Sequence, residues 1–119
     1  VDCIDVHMTE GGCGWLAAVV KIRKTSEEDG RKAIEAALAG HRSMKMVTIA
    51  DEDIDITNPV RVEWAMVTRW QPDRDTHIFS NQKGSSLDPS RYEDGLTSKV
   101  GFDATIHHSD NPEGYMSVQ

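Results

Sequence analysis

Apolar positions Val1, Ile4, Val6 and Met8 partly alternate with Asp2, Asp5 and His7, the period-two pattern of a strand with one buried face. Three glycines in Thr9-Glu10-Gly11-Gly12-Cys13-Gly14 mark a turn, and Trp15 to Ile22 is a second apolar run, so the two segments should pair as neighbouring strands. Thr25-Ser26-Glu27-Glu28 has the order of a capping box and predicts a helix over 26–39. Ala33, Ile34, Ala37 and Leu38 recur at helical spacing as its buried stripe, and Gly40 fits a left-handed stop.

The next run, Met46-Val47-Thr48-Ile49-Ala50, ends abruptly in Asp51, Glu52, Asp53 and Asp55. It reads as a buried central strand with an acidic crest at its C-terminal end, where ligands gather in open α/β sheets. Val60 to Trp64 then alternates like a strand, whereas Asn58-Pro59 announces a helix with Asn as cap and Pro at its first position. Four consecutive apolar residues, Trp64 to Val67, favour a helix packed between layers, which gives a helix over 59–70 closed by Pro72. A short strand over 75–79 follows. Gln82 to Ser90 lacks an apolar period and is built of turn formers, hence a long loop; Thr97 to Thr105 adds a short extended piece. The expected architecture is one α/β domain over 1–106, with a central mixed β-sheet flanked by two main helices in two or three layers. A polar tail covers 107–119.

At 119 residues the chain supports one core. Its net charge of −7, with both signs interspersed, argues against a nucleic-acid partner, and no apolar run approaches the ~20 residues of a membrane span. Two cysteines, Cys3 and Cys13, without a secretory segment before them, point to a cytoplasmic setting. The start at Val1, already inside a strand pattern, reads as a domain cut from a longer polypeptide.

The spacing Asp51-x-Asp53-x-Asp55 is that of a calcium loop, but Ile56 stands where the sharp turn needs Gly, and Val62 where the bidentate Glu belongs. That excludes an EF-hand. It leaves a looser Mg²⁺ or Ca²⁺ site against a structural crest, in which one Asp caps turn amides and others pair with Arg42, Lys45 or Arg69. The five histidines share no zinc spacing with the cysteines, and His107-His108 near Asp110 reads as a solvated tail rather than a metal site. Ser85 and Ser86 have no base placed beside them, and Lys83-Gly84-Ser85-Ser86 lacks the order of a phosphate loop.

Five separated blocks carry a more specific signal. They are Ala50 to Asp55, Val62 to Arg69, Gln71 to Asp75, Gly84 to Ser90 and Thr97 to Thr105. In order and spacing they resemble the C-terminal domain of UbiD-family decarboxylases, of the 3-polyprenyl-4-hydroxybenzoate carboxy-lyase type. The resemblance implies a reversible, non-oxidative decarboxylase of aromatic or α,β-unsaturated acids, in the type member a step of ubiquinone synthesis. It further implies prenylated FMN, a divalent metal and a Glu/Arg/Glu catalytic set, all in upstream domains, so that this chain holds no cofactor, no metal and no catalytic residue and is inactive alone. Its partners are those flavin-binding domains and further copies in a homo-oligomer. The loop Gly84, Ser85, Ser86, Leu87 corresponds to a lid over the substrate, with His41, Arg42 and Ser43 as a pocket wall. Some relatives carry large apolar groups where Ser85 and Ser86 stand. Two other readings compete: an oligomerisation module with no part in the pocket, and a small-ligand or metal binder at the crest.

Overall fold

The computed structural model describes residues 1–107. In chain order the elements are β1 (Asp2–Met8), β2 (Ala17–Arg23), α1 (Asp29–Gly40), β3 (Met46–Asp51), α2 (Pro59–Arg69), α3 (Pro72–Asp75), β4 (Thr76–Lys83) and β5 (Leu96–Ala104). The strands form one sheet in the order β1-β2-β3-β5-β4, with β2, β3 and β5 parallel and the two edge strands antiparallel to their neighbours. The mixed sheet follows from the connections. Loops over 9–16 and 84–95, without helices, join β1 to β2 and β4 to β5 as antiparallel pairs, whereas the parallel steps from β2 to β3 and from β3 to β5 pass through helices.

Alternation along the central strands sends side chains to two cores. Val20, Ile22, Val47 and Ile49 pack against Ala33 and Ile34 of α1, while Val19 and Ala50 on the opposite face meet Ile54, Ile56 and Ala65 of the α2 layer. The domain therefore has three layers. Gly101 sets how closely α1 approaches, because a Cβ there would overlap the Ile34 side chain.

Several local expectations change. Helix α1 begins at Asp29, and the side chain that reaches back is that of Asp29: its Oδ2 accepts from the Thr25 amide (2.9 Å), the Thr25 hydroxyl (3.1 Å) and the Ser26 amide (3.2 Å). Glu28 takes the cap position in helical backbone and makes no capping bond, so the box read from Thr25 is displaced by one residue. Gly40 stays helical and the chain leaves α1 extended at His41 (φ −145°), so no left-handed stop is needed. Left-handed backbone occurs instead at Cys13 and Gly14, and at Asn81 and Gly95. Trp15 and Leu16 belong to the first turn rather than to β2.

The N-terminus of α2 is as the sequence implies, with Asn58 Oδ1 accepting from the Val60 amide at 3.0 Å and Pro59 in the first position. Pro72 opens the short α3 as well as following α2. Strand β4 runs past an irregularity between Phe79 and Gln82 as far as Lys83, taking in residues expected in the loop. The largest departure is β5, a nine-residue strand beside β3 where only a short extended piece was expected. Thr97, Lys99 and Asp103 are polar yet buried in it, which hides its apolar period. His107 is docked rather than solvated, its side chain 13% exposed. His108 and Asp110, with the rest of the expected tail, lie outside the described residues.

Candidate functional site

The acidic crest forms where β3 ends. Arg69 of α2 reaches it with a fully buried side chain, meeting Asp53 through two parallel bonds (Nη1–Oδ1 and Nη2–Oδ2, both 2.8 Å) and Asp51 Oδ2 at 3.0 Å. The Trp64 ring lies beneath the guanidinium at 5.1 Å. Arg69 lowers the pKa of Asp53 below the usual carboxylate range, whereas burial raises that of Asp51 despite the Ile106 amide and Arg69 beside it. Asp55 turns aside to accept from the Thr57 hydroxyl (2.7 Å) and amide (3.1 Å), which lower its pKa. A guanidinium thus stands between Asp51 and Asp53 where a cation would sit, and the third carboxylate caps a turn.

The residues expected to bound a pocket lie at the other end of β3, about 17 Å away at roughly 3.3 Å per residue. Lys45, just before that strand, donates to Asp88 Oδ2 and to the Ser90 hydroxyl, both at 2.7 Å. With Ser90 it depresses the Asp88 pKa to about 2. This pins the loop from Gly84 to Gly95, whose neck is closed by the Gly84 amide on the Gly95 carbonyl (2.8 Å). Within the loop Ser85 is buried and its hydroxyl accepts from the Leu87 amide at 3.1 Å. Ser86 and Leu87 are left at the surface, Leu87 at 52% exposure.

Beside the loop, the turn carrying Arg42 and Ser43 is held from inside the sheet. Lys99 of β5 is buried and donates from Nζ to the Arg42 carbonyl at 2.8 Å, burial lowering its pKa. The Ser43 amide donates to His41 Nδ1 at 3.2 Å, and the His41 ring stacks on Trp15 at 5.1 Å. Arg42 itself faces solvent. The Leu16 carbonyl accepts from both Lys45 and Met46, so the first turn, the Arg42 turn and the Gly84–Gly95 loop converge at one end of the domain.

The residues expected as lid and wall thus lie at one end of the sheet, and Asp51, Asp53 and Asp55 at the other. Sequence reasoning missed Trp15, Lys45, Asp88 and Lys99 as the parts that hold this end together. A partial signal existed in Asp88-Pro89-Ser90, an Asp-led turn in which Ser90 donates back to Asp88 Oδ1 from amide (2.9 Å) and hydroxyl (2.7 Å). The edge strand β1 adds exposed Val1, Ile4 and Val6, and two grooves flank it. One, of about 430 Å³, is lined by Val6, Met8, Ala33 and Met44; the other, of about 710 Å³, by Val19, Ile56, Val62 and Met66.

A three-layer α/β domain of this kind occurs within the UbiD-class decarboxylase structures that this chain matches. The chain belongs to that family, 3-octaprenyl-4-hydroxybenzoate carboxy-lyase C-terminal domain (UbiD_C), whose model matches residues 1–104. It is 52% identical over 101 residues to the anhydromevalonate phosphate decarboxylase of Methanothermobacter thermautotrophicus, covering 85% of this chain and 24% of that protein. To the enzyme of the same name from Methanocaldococcus jannaschii it is 52% identical over 103 residues, covering 86% and 24%. Among solved structures it resembles the UbiD-class enzyme HmfF from Pelotomaculum thermopropionicum in complex with FMN, with a TM-score of 0.92 and 38% identity over 98% of this chain and 26% of that one. An evolved dimeric form of HmfF in complex with prFMN gives a TM-score of 0.75 and 35% identity, over 92% and 22%. The chain thus spans about a quarter of the length of the relatives it matches.

Proposed function

We propose that this domain closes the substrate pocket of a prenylated-FMN-dependent, non-oxidative decarboxylase, with the flavin, its divalent metal and the catalytic acids held by upstream domains. The observation that carries the reading is the tether from Lys45 to Asp88 and Ser90, which holds the loop bearing exposed Ser86 and the apolar tip Leu87 at one end of the sheet in a chain of this family. Decarboxylation develops carbanion character, and a loop that shuts out water protects it from premature protonation. The residues at this end suit that role better than flavin binding, since Lys45 and Lys99 are engaged by Asp88 and by the Arg42 carbonyl. The isolated chain accordingly has no turnover.

The substrate we infer is a small phosphorylated unsaturated acid of the anhydromevalonate phosphate kind, rather than the polyprenyl benzoate implied by the family's type member. Five relatives of that name, 49–52% identical, support the change. Small, polar Ser85 and Ser86 and the solvent-facing Arg42 suit a compact anionic substrate better than a long isoprenoid tail.

A second reading, oligomerisation without a part in the pocket, is favoured by the exposed apolar edge Val1, Ile4 and Val6. Leu87→Asp in the complete enzyme separates the two. Lost turnover with assembly intact supports the lid, and broken assembly supports the module. Normal turnover by a correctly assembled variant removes the lid reading.

A further inference from the structure

Glu27, just ahead of α1, Asp75, the last residue of α3, Asp103, near the end of β5, and His107 converge at the crest end of the sheet, apart from the Arg69 cluster. The ring of His107 lies between two carboxylates, Nδ1 at 2.8 Å from Glu27 Oε2 and Nε2 at 2.8 Å from Asp75 Oδ1. One ligand atom each from Asp75, Asp103 and His107 falls within 4.8 Å of the others, and both aspartates are almost wholly buried, at 1% and 4% exposure.

We propose that Asp75, Asp103 and His107 form a binding site for a divalent transition ion, Zn²⁺ or Mn²⁺, distinct from the metal expected beside the flavin in upstream domains. Donors at ~2.1 Å from one tetrahedral ion lie about 3.4 Å apart. His107 Nε2 and Asp75 Oδ1, now 2.8 Å apart, would part slightly, and the Asp103 carboxylate, within 4.8 Å of both, would draw in by on the order of 1 Å. An imidazole with two carboxylates suits Zn²⁺ or Mn²⁺ better than Mg²⁺, and three protein ligands leave a coordination position for water.

The surroundings are those of a built site. Glu27 on Nδ1 orients the ring so that Nε2 is the ligating atom, the carboxylate–histidine arrangement that commonly supports metal ligands. Asp103 Oδ1 accepts from the Thr105 amide and hydroxyl, which fixes the carboxylate plane. Its Oδ2 lies against Gly30 in the first turn of α1 and carries no hydrogen bond among the described residues. Asp75 presents Oδ1 to His107, while its Oδ2 is held by the Gln71 amide (2.8 Å) and Arg74 Nη2 (3.0 Å). Arg74 Nε also reaches Oδ1, at 3.0 Å, so Arg74 would remain as an outer partner of that carboxylate. An ion here would clamp the chain leaving β5 to the start of α1 and to the α3–β4 junction.

The test uses the complete polypeptide that carries this domain, prepared without flavin, stripped with chelator and then titrated with Zn²⁺ and with Mn²⁺. Bound metal is read by mass spectrometry and affinity by calorimetry. The expected result is one ion per protomer fewer in Asp103→Asn and in His107→Gln than in the parent, the difference cancelling any ion held elsewhere. Glu27→Gln, at a half-exposed residue, should keep the fold by circular dichroism and bind about 10- to 100-fold more weakly. Equal stoichiometry and affinity in the parent and in folded Glu27→Gln and His107→Gln would overturn the proposal, as would a parent that binds neither metal. In that case the four side chains form an ion-pair and hydrogen-bond network only.

Discussion

Lys45 and Asp88, 43 residues apart in sequence, meet at 2.7 Å and join the start of the central strand to the loop beside it. Asp88 is buried and its pKa is depressed to about 2, so the pair's contribution has a defined pH window. A depressed carboxylate stabilises the fold above its unfolded value near 3.8 and loses that stabilisation as pH falls toward 2. Lys45→Met should release the loop at neutral pH. Its backbone then becomes open to limited proteolysis between Gly84 and Gly95, and on the proposal that Leu87 closes the pocket, turnover of the complete enzyme falls by on the order of tenfold to a hundredfold. A loop equally protected in the variant would show that the tether is incidental.

At the crest the two aspartates on Arg69 should respond in opposite ways. Asp53, lowered by Arg69, contributes stability above the ordinary carboxylate pKa and loses it as pH falls through its folded value. Asp51, raised by burial, has the reverse sign: its contribution is present at low pH and is lost as pH rises through its folded value. Asp53→Asn is therefore expected to destabilise more at pH 7 than Asp51→Asn, measured by denaturant midpoints in the complete enzyme. Arg69→Met should cost about 2–3 kcal/mol. That is below the roughly 3–5 typical of a broken, fully buried pair, because Asp53 keeps water access at 39% exposure.

What was legible in the sequence was whatever acts on the nearby backbone. Asn58 and Pro59 set the start of α2 through a bond spanning two residues, and the small-residue stripe of α1 needs only its own period. Strand β5 was not legible as a full strand. Its buried polar groups find partners inside the fold, Lys99 at the Arg42 carbonyl 57 positions earlier, Thr97 and Asp103 at their neighbours Ser98 and Thr105, so polarity there does not mean exposure. The acidic crest drew attention because local composition is visible, yet Arg69 reaches it from 16 and 18 residues downstream. Conversely, Gly84 to Leu87 shows its turn chemistry locally, while the lysine that pins the loop follows only from the sheet order.

Gly101 offers a packing test. A Cβ at this position overlaps Ile34 on α1, so Gly101→Ala should lower stability by about 1–3 kcal/mol through overpacking. Adding Ile34→Ala should recover part of that loss, although alone it opens a cavity and destabilises. A double-variant cycle with no coupling would mean that α1 shifts freely on the sheet.

Lys99 separates positioning from stability. Its ammonium is buried, bonded to one carbonyl, and has its pKa lowered by desolvation, so the charged form is disfavoured in the fold. With the folded pKa below the unfolded one, the unfolded chain binds more protons between those values, and stability rises with pH through that window. Lys99→Met keeps the volume of the stem and removes the desolvation cost, so the denaturant midpoint at pH 7 should be unchanged or higher, and the alkaline rise should vanish. The Arg42 carbonyl nevertheless loses its donor, and the turn that carries Arg42 loosens. If that turn contacts substrate, KM rises while kcat changes less, and the effect is larger for a phosphorylated acid than for an uncharged analogue of the same size. A large fall in stability with KM unchanged would assign Lys99 to the fold alone.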